Sequence, residues 1–130
     1  MTIAVYGRPV NPSQIAFAEN VLKILTASGC KVIIHKQYYE FLKPGLQSVA
    51  PLPLFETNGD LQGNADFLFS IGGDGTLLDT VLLVKDSKIP IAGVNAGRLG
   101  FLSSISKENI SLAVEALAKG HYSADARTLL

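Results

Sequence analysis

Strand-like and helix-like runs alternate along this chain of 130 residues, and the alternation predicts an α/β fold with a mostly parallel sheet. Three observations carry that expectation. Runs rich in β-branched and aromatic residues recur at Ile3–Tyr6, Lys31–Lys36, Phe67–Ile71 and Ile89–Val94. Segments with helical spacing of apolar residues lie between them, as crossovers between parallel strands require. Glycine clusters follow the third and fourth runs, where strand-end loops of such a sheet would carry a binding site.

The elements follow in order. Ile3–Tyr6 reads as a short buried strand, and Gly7-Arg8-Pro9 turns the chain. Asn11-Pro12-Ser13-Gln14 opens a helix, with Asn11 as N-cap, Pro12 at the first position and Gln14 closing a capping box. Ile15, Ala18, Val21, Leu22 and Leu25 share one face of that helix, and Gly29 ends it. Lys31–Lys36 is the second strand, and Tyr38–Leu42 a short helix stopped by Pro44-Gly45. Residues 44–64, with Pro51, Pro53, Gly59 and Gly63, read as a long loop. Phe67–Ile71 is the third strand, Thr76–Lys85 the next helix and Ile89–Val94 the fourth strand. Ser106 is expected to cap a final helix in which Ile110, Val114 and Leu117 share a face, ended by Gly120; Tyr122–Leu130 is expected to be extended. The predicted architecture is an open, three-layer, Rossmann-like sheet with helices on both faces.

Composition narrows the function classes. The chain has the length of a single domain, and its apolar fraction of 48% is normal for a globular one. Eleven basic and eleven acidic residues cancel, so nucleic acid and anionic membranes are poor partners. The one cysteine, Cys30, forms no internal disulfide and suits a reducing cytoplasm. No run approaches the roughly 18 to 20 apolar residues of a membrane-spanning helix. There is no Cys/His cluster for zinc and no serine in a nucleophile-elbow pattern.

Gly72-Gly73-Asp74-Gly75-Thr76 is the most informative stretch. Glycine turns let backbone approach a ligand closely, and their successive N–H groups make an anion-binding concavity. A helix starting just after the turn adds its positive end. Asp74 would repel a phosphate unless it binds a proton, a hydroxyl or a metal, and a carboxylate that accepts a proton from an attacking hydroxyl is what phosphoryl transfer to an alcohol uses. The plainer alternative is an ordinary strand-to-helix turn with Asp74 as N-cap. Thr76 could donate to a phosphate or cap the helix. A second glycine-rich stretch, Gly93-Val94-Asn95-Ala96-Gly97-Arg98-Leu99-Gly100-Phe101-Leu102, follows the fourth strand. Two such loops at the carboxyl ends of neighbouring strands fit the binding crevice of open α/β sheets.

With these two motifs, and with Ile3–Pro9 and Tyr122–Leu130 flanking them, the chain resembles the NAD kinase family over nearly all of its length. The resemblance implies transfer of the γ-phosphoryl of ATP, or of polyphosphate, to the 2′-hydroxyl of the adenosine ribose of NAD, assisted by Mg²⁺ or another divalent cation. It implies Asp74 as general base and Gly72, Gly73, Asp74, Gly75, Thr76, Asn95, Gly97 and Phe101 as nucleotide-binding residues. No metal-ligating residue is assigned, and Arg98 stands where the family varies. The family also has a downstream Asn-Glu motif and a β-rich second domain. Residues 1–121 are therefore expected to be an N-terminal nucleotide-binding kinase domain, with 122–130 the start of a strand leading into that second domain. Such a piece is expected to be inactive alone. Homo-oligomerisation and a cytoplasmic location are implied as well.

Two other readings stay open on the residues. Lipid kinases of the diacylglycerol and sphingosine type share the Gly72–Thr76 element, but they follow it with Pro-x-Gly-Thr-x-Asn-Asp where this chain has Val94–Gly100. A non-catalytic nucleotide-binding module is the third. Among the remaining polar residues, Arg8 could touch phosphates or be a surface cation, and Asp79 could reach the cleft or be a solvated helix acid. His35 and His121 are read as structural or surface residues.

Overall fold

A computed structural model describes residues 1–8, 15–46, 51–61, 63–72, 74–84, 89–95, 105–106, 112 and 115; Asn58, Asp74, Asn95, Ile105 and Ser106 are described by backbone alone. Six strands form one sheet: β1 (Thr2–Gly7), β2 (Lys31–His35), β3 (Leu54–Phe55), β4 (Phe67–Gly72), β5 (Ile91–Asn95) and β6 (Ile105–Ser106). Their spatial order is β3-β2-β1-β4-β5-β6, and every described pairing is parallel. The helices are α1 (Ile15–Ala27), α2 (Lys36–Leu42), α3 (Asn58–Leu61) and α4 (Asp74–Val84), with a 3₁₀ turn at Lys43–Gly45.

Alternation along the strands separates two cores, because successive side chains point to opposite faces. Ile3 and Val5 of β1, Val32 and Ile34 of β2, Phe69 and Ile71 of β4 and Val94 of β5 face one side. There they meet Ala18, Val21, Leu22 and Leu25 of α1 and Tyr38 and Leu42 of α2. Ala4, Leu68 and Phe55 face the other, with Leu61 of α3 and Val84 of α4. Each fully buried leucine or phenylalanine contributes about 1.5–3 kcal/mol relative to exposure, so the two cores hold the sheet as the middle of three layers. The expected open parallel sheet with helices on both faces is what the chain forms.

Local signals place the elements well where they are strong. The α1 stripe is buried at Ala18, Val21, Leu22 and Leu25, with Ile15 partly covered. Gly29 takes φ 82°, the Cys30 N–H reaches the Leu25 carbonyl and the Gly29 N–H the Thr26 carbonyl, which together close a Schellman motif. The proposed cap at Asn11–Gln14 lies outside the described residues.

Several expectations are corrected. Residues 44–64 are not one loop. Pro53 offers its carbonyl to Ile34 N–H, Leu54 and Phe55 pair with β2, and Asp60 accepts the backbone N–H groups of Glu56 and Thr57 to start α3. A two-residue edge strand has too little sequence to show a period, and Phe55 is recruited by the core. Helix α2 begins at Lys36, directly after β2, rather than at Tyr38. Helix α4 begins at Asp74 rather than Thr76, because Gly72 lets the chain turn into the helix at once. Strand β5 runs Ile91–Asn95, one residue beyond the expected end, because its pairing with β4 continues to Gly72. Ser106 closes a short further strand, β6, in which Ile105 and Ser106 pair with Val94 and Asn95; the residues that would follow a cap there lie outside the described residues. Leu112 and Glu115 are helical and exposed; Ile110, Val114, Leu117, Gly120 and residues 122–130 lie outside the described residues.

Candidate active site

Ligands of open α/β sheets bind beyond the carboxyl ends of the strands, where neighbouring strands send their connections to opposite faces. Here that point lies between β1 and β4. Strand β1 leads to α1 on the first core, and its neighbour β4 leads to α4 on the second. Strand register then aligns the two glycine-rich stretches. Gly72, the last residue of β4, pairs with Asn95, the last residue of β5. Gly72 and Asn95, one residue from each motif, thus lie side by side on one edge.

Gly72 is required by its conformation and by its neighbour. Its φ of 146° is one that L side chains rarely adopt, and a Cβ there would lie 2.6 Å from Thr76 Oγ1. The turn delivers the chain straight into α4, whose first residue is Asp74. The unpaired N–H groups of that first turn, and the positive end of the helix, therefore sit at the crevice. Thr76 is the third helical residue and is buried against Gly72, so it is not the N-cap. A buried polar pair fastens this helix to the sheet. The Thr80 hydroxyl donates to the Thr76 carbonyl at 2.8 Å and shares a 2.9 Å hydrogen bond with the Ser70 hydroxyl.

Arg8, one residue beyond β1, reaches across the switch point to α4. Its Nε donates to Asp79 Oδ2 at 2.5 Å and its Nη2 to Asp79 Oδ1 at 3.0 Å, a bidentate pair. Gly75 and Asp79 are four apart and lie one above the other on the helix. The guanidinium covers both: Nη1 would be 2.9 Å from a Cβ at Gly75. The Tyr6 hydroxyl donates to Asp79 Oδ2 at 3.4 Å. The hydrogen bond from Arg8 holds the Asp79 carboxyl below its ordinary pKa, while burial and the Asp79 charge raise that of the Tyr6 phenol. Gly7 is needed for packing, since a Cβ there would strike the buried Tyr38 ring at 2.5 Å.

His35 ends β2 on the same side as Tyr6. Its ring meets Tyr6 and Phe55 edge-on, with centroids 5.1 and 5.4 Å away. Its buried Nδ1 has no hydrogen-bond partner among the described residues. Burial lowers its pKa, against an opposing pull from Glu56. The histidine is a packing residue of the edge, in line with the structural reading.

Of the residues singled out from sequence, Gly72, Asp74, Gly75, Thr76 and Asn95 come together at this edge. Gly73, Gly97 and Phe101 lie outside the described residues. Arg8 and Asp79, weighed separately in sequence, form one unit. Tyr6, Ser70 and Thr80 were not singled out. The i,i+4 spacing of Thr76 and Thr80 was the available signal for one of them; Tyr6 and Ser70 depend on strand facing. A cavity of about 480 Å³ involving Thr2, Lys31, Pro53, Leu54 and Asn64 lies along the β2–β3 side and contains neither glycine motif.

Fold and edge together define a doubly wound α/β domain with Gly72 and Gly75 at its switch-point edge. The description "ATP-NAD kinase N-terminal domain" matches residues 3–122, and the chain belongs to the NAD kinase family. The whole chain is 35% identical over 133 residues to an NAD kinase of Cytophaga hutchinsonii, of which it spans 44%. It is 35% identical over 131 residues to one of Methanothermobacter thermautotrophicus, of which it spans 43%. The chain thus spans less than half the length of these curated relatives. Yeast NADH kinase, solved in complex with NADH, superposes on 93% of the chain with a TM-score of 0.75 and 20% identity, using 38% of that structure. An NAD kinase from Archaeoglobus fulgidus, solved in complex with ATP, covers 92% of the chain at a TM-score of 0.56 and 23% identity, again over 38% of that structure. These two likenesses support the fold.

Proposed function

We propose that this chain carries the phosphoryl-transfer loop of an NAD kinase, which moves the γ-phosphoryl of ATP, or of polyphosphate, to the 2′-hydroxyl of the adenosine ribose of NAD and yields NADP. The observation that carries the reading is the register of Gly72 with Asn95, which puts these two motif residues side by side near the start of α4. In this reading Asp74 takes the proton of the 2′-hydroxyl as its oxygen attacks the γ-phosphorus. The bond from that phosphorus to the β–γ bridging oxygen breaks, and ADP leaves. Backbone N–H groups of the loop and first helical turn meet the phosphate charge. The family resemblance assigns Gly72, Gly73, Gly75, Thr76, Asn95, Gly97 and Phe101 to nucleotide binding.

A divalent cation is the cofactor that the family resemblance implies. Asp79 is taken up by Arg8, which leaves Asp74 as the carboxylate at the head of α4. Mg²⁺ keeps several waters and is commonly held by substrate phosphates, so the nucleotide's phosphates would bring it to the head of α4. When bound it would neutralise charge on the transferring phosphate. NAD and ATP are the small-molecule partners of the reading. Residues 1–121 form its nucleotide-binding unit, with 122–130 leading towards a β-rich domain, in a cytoplasmic homo-oligomer. No helix among the described residues is long and apolar enough to cross a membrane.

The test is NADP formation from NAD, ATP and Mg²⁺ by the full-length protein and by its Asp74→Asn variant. The wild type should turn over, and the variant should lose about 10² to 10⁴-fold in kcat with an unchanged melting temperature. Near-normal turnover by the variant would remove Asp74 as the base. A folded wild type that makes no NADP would overturn the kinase reading.

A further inference from the structure

We propose that Asp79 is a positioning residue that holds Arg8 over Gly75 as a fixed cationic clamp for a nucleotide phosphate. The clamp rests on the kinase reading for the identity of the nucleotide. Its geometry stands by itself.

The two groups are 71 positions apart and are joined by two hydrogen bonds to the two carboxylate oxygens. Their side chains keep 44% and 33% of their exposure. An ion pair that open to water contributes little to stability, so firm bidentate contact at this place calls for another role. What the pair does fix is direction. The Nε N–H and one Nη2 N–H are taken by Asp79, while Nη1 makes no hydrogen bond among the described residues and lies closest to Gly75. The remaining N–H groups are therefore presented over the first turn of α4, where that helix's own unpaired N–H groups lie. A guanidinium with one edge on a carboxylate and the other free is suited to take a phosphate oxygen. Asp79 is itself steadied by the Tyr6 hydroxyl. A long, flexible arginine is thus ordered before the ligand arrives, which lowers the ordering cost of binding. The glycine at 75 acquires a second purpose: any side chain there would displace Arg8.

The experiment is calorimetric titration of Mg·ATP into the full-length protein, alongside NADP formation, for Arg8→Gln, Asp79→Asn, Asp79→Glu and the Arg8→Gln/Asp79→Asn double variant. Arg8→Gln should raise the Kd for ATP about tenfold, the loss expected for a hydrogen bond to a charged group. Asp79→Asn should raise it about threefold with the charge of Arg8 intact, and Asp79→Glu should restore most of the affinity. The double variant should be no weaker than Arg8→Gln alone, because Asp79 acts only through Arg8. An Arg8→Gln variant with wild-type ATP affinity overturns the clamp. So does an Asp79→Asn variant that binds ATP more tightly, since Asp79 would then be competing with phosphate. So does one whose melting temperature falls while its Kd stays put. If the wild type turns over and Arg8→Gln binds normally, the clamp alone fails. If the wild type binds ATP through Arg8 but forms no NADP, the kinase reading alone fails. If it neither binds nor turns over, both fail.

Discussion

Gly72 shows how much of this site hangs on single atoms. Its φ of 146° and the 2.6 Å between its would-be Cβ and Thr76 Oγ1 leave no room for any side chain. Gly72→Ala should therefore destabilise the protein by about 1–3 kcal/mol, the usual cost of a residue forced into a sparsely populated conformation. Chemical denaturation of the full-length protein measures it, and a loss below a few tenths of a kcal/mol would mean the turn relaxes freely. Gly75 is different in kind. Its helical backbone does not demand glycine; what it spares is the Arg8 guanidinium above it. Sequence marked both glycines from their neighbours, but only the structure separates a conformational requirement from a clearance requirement. Arg8 and Asp79 were visible as charged residues near the motif, yet their pairing depends on where α4 lies relative to β1, which no local pattern encodes.

At the scale of elements, α4 is the part that must be held still, since its first turn carries the proposed phosphate loop. Its attachment is polar as well as apolar. Val84 enters the second core at one end, and Thr80, fully buried, ties the middle to Ser70 of β4 and to the Thr76 carbonyl. Thr80→Val keeps the shape and strands the Ser70 hydroxyl, so it should cost about 1–3 kcal/mol. It should also weaken ATP binding, because the start of the helix is no longer pinned. Parallel urea melts and ATP titrations of wild type and variant decide this; an undiminished ATP affinity would show that apolar packing suffices to place the helix. Elements with strong local codes were legible: the α1 stripe and its Gly29 terminator, and β1, β2 and β4. Strand β3 and helix α3 were not. Leu54–Phe55 gains its strand geometry from β2, and α3 owes its start to the Asp60 side chain accepting N–H groups of the preceding turn. Strand β6 was not legible for the same reason, since Ile105 and Ser106 gain their strand geometry from β5.

For the whole molecule, the histidine at the strand edges links folding to pH. Burial holds the His35 pKa below its ordinary value, with Glu56 pulling the other way, so the folded protein favours the neutral ring. Tyr6 and Phe55 pack against that ring, and Lys36, Glu40 and Glu56 are the charged groups beside it. The unfolded chain binds a proton near pH 6.5 and the folded one only lower. The stabilisation is thus complete above about pH 6.5 and is lost as pH falls through the folded value. The melting temperature should drop between pH 7.5 and 5.5, and His35→Gln should flatten that slope. An unchanged slope in the variant would assign the pH dependence to other groups. The same whole-molecule view explains the site. The order β3-β2-β1-β4-β5-β6 is what creates a switch point between β1 and β4, and with it a crevice at the head of α4.

The amino-acid sequence by itself determined the fold class, the main strands, the α1 helix and the two glycine-rich motifs that mark the family. Those features are written in local periods, turn chemistry and short-range spacing. Only the tertiary structure decided that Gly72 and Asn95 are neighbours, that Arg8 is held by Asp79 above Gly75, that Thr80 anchors the site helix and that residues 54–61 belong to the sheet and its cover. Each of those facts joins residues through strand order and register, which are set by how the two cores pack together and not by any one segment.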